Sequence, residues 1–253
     1  MHMNVLVDGQ LINYSDEGEG KVIVMLHGWG AKYSTFDNIT SHLKKNFRVI
    51  RFDFPGFGAS PKPSDVWGVG DYAHVTNQFL KKIKASDVYA IMGHSFGGRV
   101  IIKGVAKKLL TAEKVILIDA AGLKPPKSMR KSLYASIAKI GKTTTSLPLL
   151  KTLRPMLRKK LYSAIGSTDY LNANEMQHIF LNTISEDLMQ YVHQITQPTL
   201  LLWGQNDTET PVSDAHKMLG ELDKGKLVII PGAGHFVYSD AFDQVTQELD
   251  RFL

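Results

Sequence analysis

Short apolar runs alternate with amphipathic stretches along most of the chain. Six of these runs are nearly continuous in Val, Ile and Leu, which is typical of parallel strands covered on both faces. They predict strands at 21–26, 47–52, 87–92, 114–118, 198–203 and 226–230. Apolar positions at helical spacing predict helices at about 35–44, 71–84, 96–109, 212–220 and 240–253. The alternation predicts an α/β fold with a right-handed, doubly wound, mostly parallel sheet.

The start of the chain follows a different pattern. Residues 5–7 and 10–14 are rich in β-forming side chains and flank the dipeptide Asp8-Gly9. This dipeptide suits the tight primed turn that joins two antiparallel strands. The sequence therefore predicts a β-hairpin ahead of the parallel strands.

One interval between strands is too long for a simple crossover. About 80 residues separate the strands that end near Ile118 and begin near Pro198, whereas a crossover needs only about 10–12. The interval has two apolar faces at helical spacing. These are Met129, Leu133, Ile137 and Ile140, and Met176, Ile179, Phe180 and Thr183. We therefore predict a helical cap at 123–191, inserted into a core domain of residues 1–122 and 192–253.

Composition excludes several classes of protein. With 253 residues, 43% apolar and 21% charged, the chain has globular rather than disordered or coiled-coil composition. No apolar run reaches the roughly 18 residues of a membrane-spanning helix, and no basic-then-apolar leader is visible. The chain has no cysteine, which excludes disulfides, a cysteine nucleophile and thiolate metal sites. These features predict a cytoplasmic protein.

The positive charge is concentrated in the predicted cap. The net charge is +6, yet no acid occurs between Asp119 and Asp169. Eleven of the 30 basic residues lie there: Lys124, Lys127, Arg130, Lys131, Lys139, Lys142, Lys151, Arg154, Arg158, Lys159 and Lys160. We therefore expect no nucleic-acid partner. The segment is either the solvated outer face of amphipathic helices, or a surface that attracts an anionic substrate or makes weak contact with an anionic membrane.

A candidate nucleophile lies between a predicted strand and a predicted helix. The strand at 87–92 leads into Gly93-His94-Ser95-Phe96-Gly97-Gly98. A serine on such a sharp turn needs neighbours without clashing side chains, and the helix N-terminus favours a developing negative charge. The alternative is a glycine-rich turn in which the serine only caps a helix. The pattern predicts that Ser95 is a catalytic nucleophile.

A nucleophilic serine needs a general base. Among the histidines, only His235 lies in a glycine-rich loop after a core strand, in Pro231-Gly232-Ala233-Gly234-His235-Phe236. We expect His27 to be a structural hydrogen-bonding residue and the side chain of His94 to point away from the site. The sequence therefore predicts His235 as the base.

The base in turn needs an acid that orients it. Asp207 follows the strand at 198–203, at the sheet edge where ligands of open α/β folds bind. Asp119 also ends a strand and is the rival for this role. Asp53 is expected to fix the loop after its own strand.

Backbone N–H groups are the expected oxyanion donors. One comes from Phe96, the residue after the nucleophile. The other comes from Trp29 in His27-Gly28-Trp29-Gly30, because the flanking glycines allow a substrate to approach the backbone.

Taken together, these motifs resemble the α/β-hydrolase superfamily along essentially the whole chain. The motifs are His27-Gly28-Trp29-Gly30, Asp53-x-x-Gly56-x-Gly58-x-Ser60, Gly93-His94-Ser95-Phe96-Gly97-Gly98, Gly204-x-x-Asp207 and Gly234-His235. The resemblance implies an eight-stranded, mostly parallel sheet with the cap after the sixth strand. It also implies the carboxylesterase-like serine-hydrolase branch, because relatives that open epoxides or remove halide use an aspartate nucleophile.

The resulting expectation is an enzyme that hydrolyses a carboxylic ester or thioester of a small or medium acyl substrate. It would use the triad Ser95, Asp207 and His235, with no metal and no organic cofactor. One alternative is a carbon–carbon bond hydrolase of the ring-cleavage type, which would hold a substrate carboxylate with a cap arginine such as Arg130, Arg154 or Arg158. The other is a non-enzymatic ligand receptor on the same fold.

Overall fold

The computed structural model describes residues 3–124 and 174–253, and an eight-stranded sheet forms the centre of this part of the chain. The strands are β1 Met3–Val7, β2 Gln10–Glu17, β3 Val22–Leu26, β4 Arg48–Phe52, β5 Val88–His94, β6 Lys114–Ile118, β7 Thr199–Gly204 and β8 Gly225–Ile230. Their spatial order is β1-β2-β4-β3-β5-β6-β7-β8. Strand β2 is antiparallel to β1 and β4, and every other pair is parallel. The predicted fold class is confirmed.

The helices alternate with the strands. They are α1 Asp37–Leu43, α2 Val69–Lys82, α3 Phe96–Ala106, α4 Gln177–Ser185, α5 Met189–Val192, α6 Val212–Gly220, α7 Val237–Asp240 and α8 Phe242–Phe252. Short 3-10 helices span Tyr33–Phe36 and Asn174–Met176. The six predicted parallel strands begin and end within about two residues of the observed ones. No described helix is long and apolar enough to cross a membrane.

The predicted hairpin is confirmed and is longer than the sequence indicated. Asp8 and Gly9 both have positive φ, 45° and 79°, as a primed turn requires. Strand β2 continues to Glu17 because Tyr14–Glu17 pairs with β4. Backbone pairing with a second strand therefore extends an element that the local pattern ends at Tyr14.

Helices cover both faces of the sheet. Apolar side chains of α2, α3 and α6 pack with one face, where Phe79, Val100 and Met218 are buried. Helices α1 and α8 cover the other face with Ile39 and Leu249. The strands between these layers consist of apolar residues because water reaches neither side.

Only part of the predicted cap is described. In α4 and the residue before it, the predicted face of Met176, Ile179, Phe180 and Thr183 is buried, because it packs onto the core. The other predicted face, at Met129–Ile140, and the basic residues from Lys127 to Lys160 lie outside the described residues. The cap boundaries at 123 and 191 therefore stay predictions.

Parallel strands β3 to β8 end at one edge of the sheet. The loops and turns that follow β3, β5, β7 and β8 carry Trp29, Ser95, Asp207 and His235 respectively. Residues far apart in sequence are thereby placed around one position, as is usual for open α/β sheets.

Candidate active site

Ser95 occupies a strained turn between β5 and α3. Its backbone has φ 48° and ψ −110°, a sparsely populated combination that costs about 1–3 kcal/mol. Two of its backbone hydrogen bonds tie the turn to β6 and the residues after it: Ser95 N–H donates to the Ile118 carbonyl at 3.1 Å, and Ala121 N–H donates to the Ser95 carbonyl at 3.0 Å. Surrounding structure therefore fixes the conformation that presents the serine side chain.

Close backbone contacts explain the two glycines that flank Ser95. A Cβ on Gly93 would lie 2.6 Å from the Gly97 carbonyl carbon, and a Cβ on Gly97 would lie 2.1 Å from the Leu26 oxygen. Neither contact involves a side chain that could swing away. The first turn of α3 can approach β3 and β5 this closely only without these side chains.

Gly97→Ala is expected to lower the free energy of unfolding by about 1–3 kcal/mol, because α3 must move away from β3. Urea denaturation measures this effect. Gly220→Ala is the matched control, since a Cβ there meets nothing within 4 Å and alanine favours a helix. Equal stability of the two variants would contradict the packing argument.

Three predicted side chains lie in one chain of hydrogen bonds. His235 Nδ1 lies 2.8 Å from Asp207 Oδ2, and His235 Nε2 lies 3.0 Å from Ser95 Oγ. Because an ionised carboxylate can only accept, Nδ1 carries the proton. Nε2 is then free to accept the hydroxyl proton of Ser95.

The loop after β7 holds the Asp207 carboxylate in place. Its Oδ1 accepts the backbone N–H groups of Glu209 at 2.8 Å and Thr210 at 3.0 Å. The Thr210 hydroxyl lies 2.6 Å from Oδ2. Sequence reasoning missed Thr210, although an Asp that binds backbone groups two and three residues later is a known turn pattern.

The charges of His235 and Asp207 stabilise one another. Burial lowers the pKa of His235, but the hydrogen bond and negative charge of Asp207 outweigh it, with smaller contributions from Glu209 and Asp119, so the pKa is raised above its ordinary value. Burial raises the pKa of Asp207, but the hydrogen bond and charge of His235, together with Thr210, bring the pKa below its ordinary value. The pair therefore favours the ionised forms of both groups.

Asp119, the rival acid, makes different contacts. Its carboxylate accepts the backbone N–H groups of Gly204 at 2.8 Å and Val237 at 3.2 Å. Burial raises the pKa of Asp119 to about 8. Asp119 thus joins the end of β7 to the segment after His235, while Asp207 makes the contact with the imidazole.

The two proposed oxyanion donors lie in the loop after β3 and at the start of α3. His27 Nε2 accepts the Phe54 N–H at 3.0 Å, so its Nδ1 carries the proton and donates to the Gly28 carbonyl at 2.7 Å. A trans peptide points its N–H opposite to its C=O, so this bond also sets the direction of the Trp29 N–H. Phe96 begins α3, where the first N–H groups have no partner within the helix. The structural interpretation of His27 is confirmed.

The expectation that His94 points away is wrong. His94 Nε2 donates to the His235 carbonyl at 2.7 Å, and the two rings lie 4.8 Å apart. Burial, followed by the positive charge of His235, lowers the pKa of His94 to about 3, so the ring is neutral. Strand alternation does not continue through the Ser95 turn, which is why local pattern misplaced this side chain.

An open cavity of about 570 Å³ lies over Ser95 and His235. Its described lining includes the aromatic residues Trp29, Phe57 and Phe236, together with Met176 and Glu209. Sequence reasoning missed Glu209, which nothing in the local sequence marks. Within residues 3–124 and 174–253, no group of three or more His, Cys, Asp or Glu side chains is placed to hold a metal ion.

This sheet order, with its strand–serine–helix turn and the loops gathered at one edge, is the architecture of the α/β hydrolases. A model of the alpha/beta hydrolase family matches residues 23–248. The chain therefore belongs to this family.

Similar proteins include hydrolases of two kinds. A 2-hydroxy-6-oxononadienedioate/2-hydroxy-6-oxononatrienedioate hydrolase of Comamonas testosteroni is 26% identical and covers 93% of this chain and 89% of that protein. A pimeloyl-(acyl-carrier protein) methyl ester esterase of Aliivibrio salmonicida is 25% identical and covers 95% of each chain. The crystal structure of a membrane phospholipase A superposes with a TM-score of 0.78 at 24% identity, covering 100% of this chain and 85% of that one, which supports the fold.

Proposed function

We propose that the protein is a serine hydrolase that cleaves the carboxylic ester or thioester of a small or medium acyl substrate. The observation that carries this proposal is the continuous contact from Asp207 through His235 to Ser95, at the base of an open cavity. A structural serine would not need a buried imidazole and carboxylate aligned behind it. The same three groups in this order perform acyl transfer on unrelated folds.

In the proposed mechanism, Ser95 Oγ attacks the substrate carbonyl while His235 Nε2 takes the hydroxyl proton. The negative charge that develops on the carbonyl oxygen is stabilised by the N–H groups of Trp29 and Phe96. The imidazolium, stabilised by Asp207, then gives its proton to the leaving alcohol or thiol, and an acyl-enzyme remains. His235 next activates a water molecule, which releases the carboxylic acid and regenerates Ser95. No metal or organic cofactor takes part in this sequence.

Ester cleavage is favoured over ring-cleavage chemistry by the charge of the part of the cavity wall that the structure describes. The Comamonas testosteroni relative is named for a dioate, a substrate with two carboxylates. The described cavity wall instead contributes the carboxylate of Glu209. The arginines that could bind a substrate carboxylate in the cap, Arg130, Arg154 and Arg158, lie outside the described residues.

Labelling with a fluorophosphonate, followed by a panel of aryl esters of increasing acyl length, tests the proposal. We expect covalent labelling of Ser95 and steady turnover of the shorter esters. A single equivalent of product without turnover would indicate a ligand receptor. Cleavage of a vinylogous diketo acid with little activity on simple esters would indicate the carbon–carbon hydrolase.

The pH dependence follows from His235. Its imidazole must be neutral to accept the serine proton, and its pKa is raised above the ordinary value. We expect kcat/KM to be low at acidic pH and to rise through an apparent pKa above about 6.5. A profile that is flat from roughly pH 5 to 9 would contradict a titrating base.

A further inference from the structure

Glu209 places a carboxylate beside the proposed general base. Its Oε2 lies 3.3 Å from His235 Nε2, the same nitrogen that lies 3.0 Å from Ser95 Oγ. The side chain is about half exposed, at 48%, and it lines the open cavity. The carboxylate therefore faces the space in which a substrate would react.

A backbone hydrogen bond fixes the position of the Glu209 Cα atom. The Glu209 N–H donates to Asp207 Oδ1 at 2.8 Å, so residue 209 is tied to the acid that orients His235. The loop that positions Asp207 consequently also brings Glu209 to the cavity.

The mechanism defines which part of a substrate lies near Glu209. His235 Nε2 donates its proton to the leaving group, so the leaving oxygen must come within hydrogen-bond distance of Nε2. The substituents of the alcohol then occupy the cavity next to Glu209. The carbonyl oxygen instead faces the Trp29 and Phe96 N–H groups.

The surrounding wall suits a positive charge. Of the described residues that line the cavity, Glu209 is the only Asp, Glu, Lys or Arg, and Trp29, Phe57 and Phe236 provide aromatic rings. Phe236 is 46% exposed, which leaves its ring accessible. A carboxylate together with accessible aromatic faces attracts organic cations such as quaternary ammonium groups, whereas a second carboxylate would be repelled.

We propose that Glu209 is a specificity-determining residue that selects esters whose alcohol carries a cationic group and disfavours esters of anionic alcohols. This inference rests on the proposed serine-hydrolase function and names the substrate class on its leaving-group side. Specificity here arises as a difference between attraction of one charge and repulsion of the other.

The test uses three esters with one short acyl group and different alcohols. These are the choline ester, its neutral isostere the 3,3-dimethylbutyl ester, and the anionic glycolate ester. We expect kcat/KM of the wild-type protein to fall in this order. Glu209→Gln should reduce the choline-to-neutral ratio and raise the glycolate-to-neutral ratio, each by about fivefold, the effect of one charge about 4 Å away in water-like surroundings. Glu209→Lys should reverse the order.

Glu221→Gln is the matched control. Glu221 is also exposed and follows α6, which leads from the site edge of the sheet back to the opposite edge where β8 begins. The same change of charge at this position should leave both ratios unchanged. A second control places the charge on the acyl side, with a hemisuccinate in place of the short acyl group. The ratio of kcat/KM for this ester to kcat/KM for the neutral ester should respond less to Glu209→Gln.

The pH profile provides a second measurement. His235 faces Asp207 and Glu209 from the loop after β7, Asp119 from the end of β6, and the neutral ring of His94 from the end of β5. Removal of the Glu209 charge should lower the apparent pKa at which kcat/KM rises from acidic pH, because the carboxylate stabilises the imidazolium. Glu221→Gln should not move it.

The possible failures are distinguishable. If the wild-type protein is not labelled by a fluorophosphonate and turns over none of the esters, the proposed function fails and this inference fails with it. If the wild-type protein hydrolyses the neutral ester but Glu209→Gln and Glu209→Lys leave both charge ratios unchanged, the inference about Glu209 alone is overturned. The assignment of Glu209 to the leaving-group side would also be overturned if Glu209→Gln changed kcat/KM as much for the hemisuccinate ester as for the glycolate ester, each relative to the neutral ester.

Discussion

Ser95→Ala is expected to reduce ester turnover by at least about 10⁴-fold while the protein stays folded. Losses of this size are typical when a member of a cooperating nucleophile and base is removed. Without Oγ, no atom at this turn can form the acyl-enzyme. The fold should persist because the backbone hydrogen bonds of Ser95 remain and alanine has nearly the same volume. Steady-state kinetics and fluorophosphonate labelling measure the loss.

Ser64→Ala is a suitable control, since Ser64 lies exposed on a loop. This variant should keep wild-type turnover and labelling. Urea denaturation of both variants separates loss of chemistry from loss of structure. Wild-type turnover in purified Ser95→Ala protein would overturn the proposed mechanism.

Asp207→Asn is expected to lower kcat by about 10⁴. The backbone N–H groups of Glu209 and Thr210 require an acceptor at the Oδ1 position, so the introduced amide would keep its oxygen there. Its NH₂ group would then face His235 Nδ1 and donate to it. Nδ1 must become an acceptor, which places the proton on Nε2, and Nε2 can no longer take the proton of Ser95. The kcat of the variant, measured with the best ester of the panel, tests this argument.

Asp119→Asn is the comparison for this prediction. One of its two backbone donors, Gly204 or Val237, would lose its acceptor, at a cost of about 1–3 kcal/mol in the free energy of unfolding. We expect a far smaller decrease in kcat, because Asp207 still orients His235. The reverse ranking of the two variants in kcat would identify Asp119 as the acid.

Much of the fold could be predicted because its determinants are local. Each parallel strand is buried on both faces, so its own residues form an apolar run that marks it within about two residues of its observed limits. The extension of β2 to Glu17 could not be predicted in this way. It depends on pairing with β4, whose residues are more than thirty positions away in the chain.

The candidate site was also predictable only where its determinants are local. The motifs around Ser95, Asp207 and His235 could be recognised because glycines are needed wherever the backbone approaches another segment closely, as at Gly93 and Gly97. The glycines lie within a few residues of the side chains that they allow into place, so the motif is visible in the local sequence. The sequence predicted Asp207 as the acid but did not exclude Asp119, since both follow strands that end at one edge.

The sequence by itself determined the order of the elements, the class of the sheet and the residue types that could perform acyl transfer. Only the tertiary structure decided which atoms meet: that His235 Nε2 lies 3.0 Å from a serine 140 residues away, that His94 supports the His235 carbonyl, and that Glu209 faces the same nitrogen. The physical reason is the separation along the chain over which each interaction acts. Strand and turn preferences act between neighbours in the chain, whereas hydrogen bonds and charges in this site act across loops that only the register of the sheet brings together.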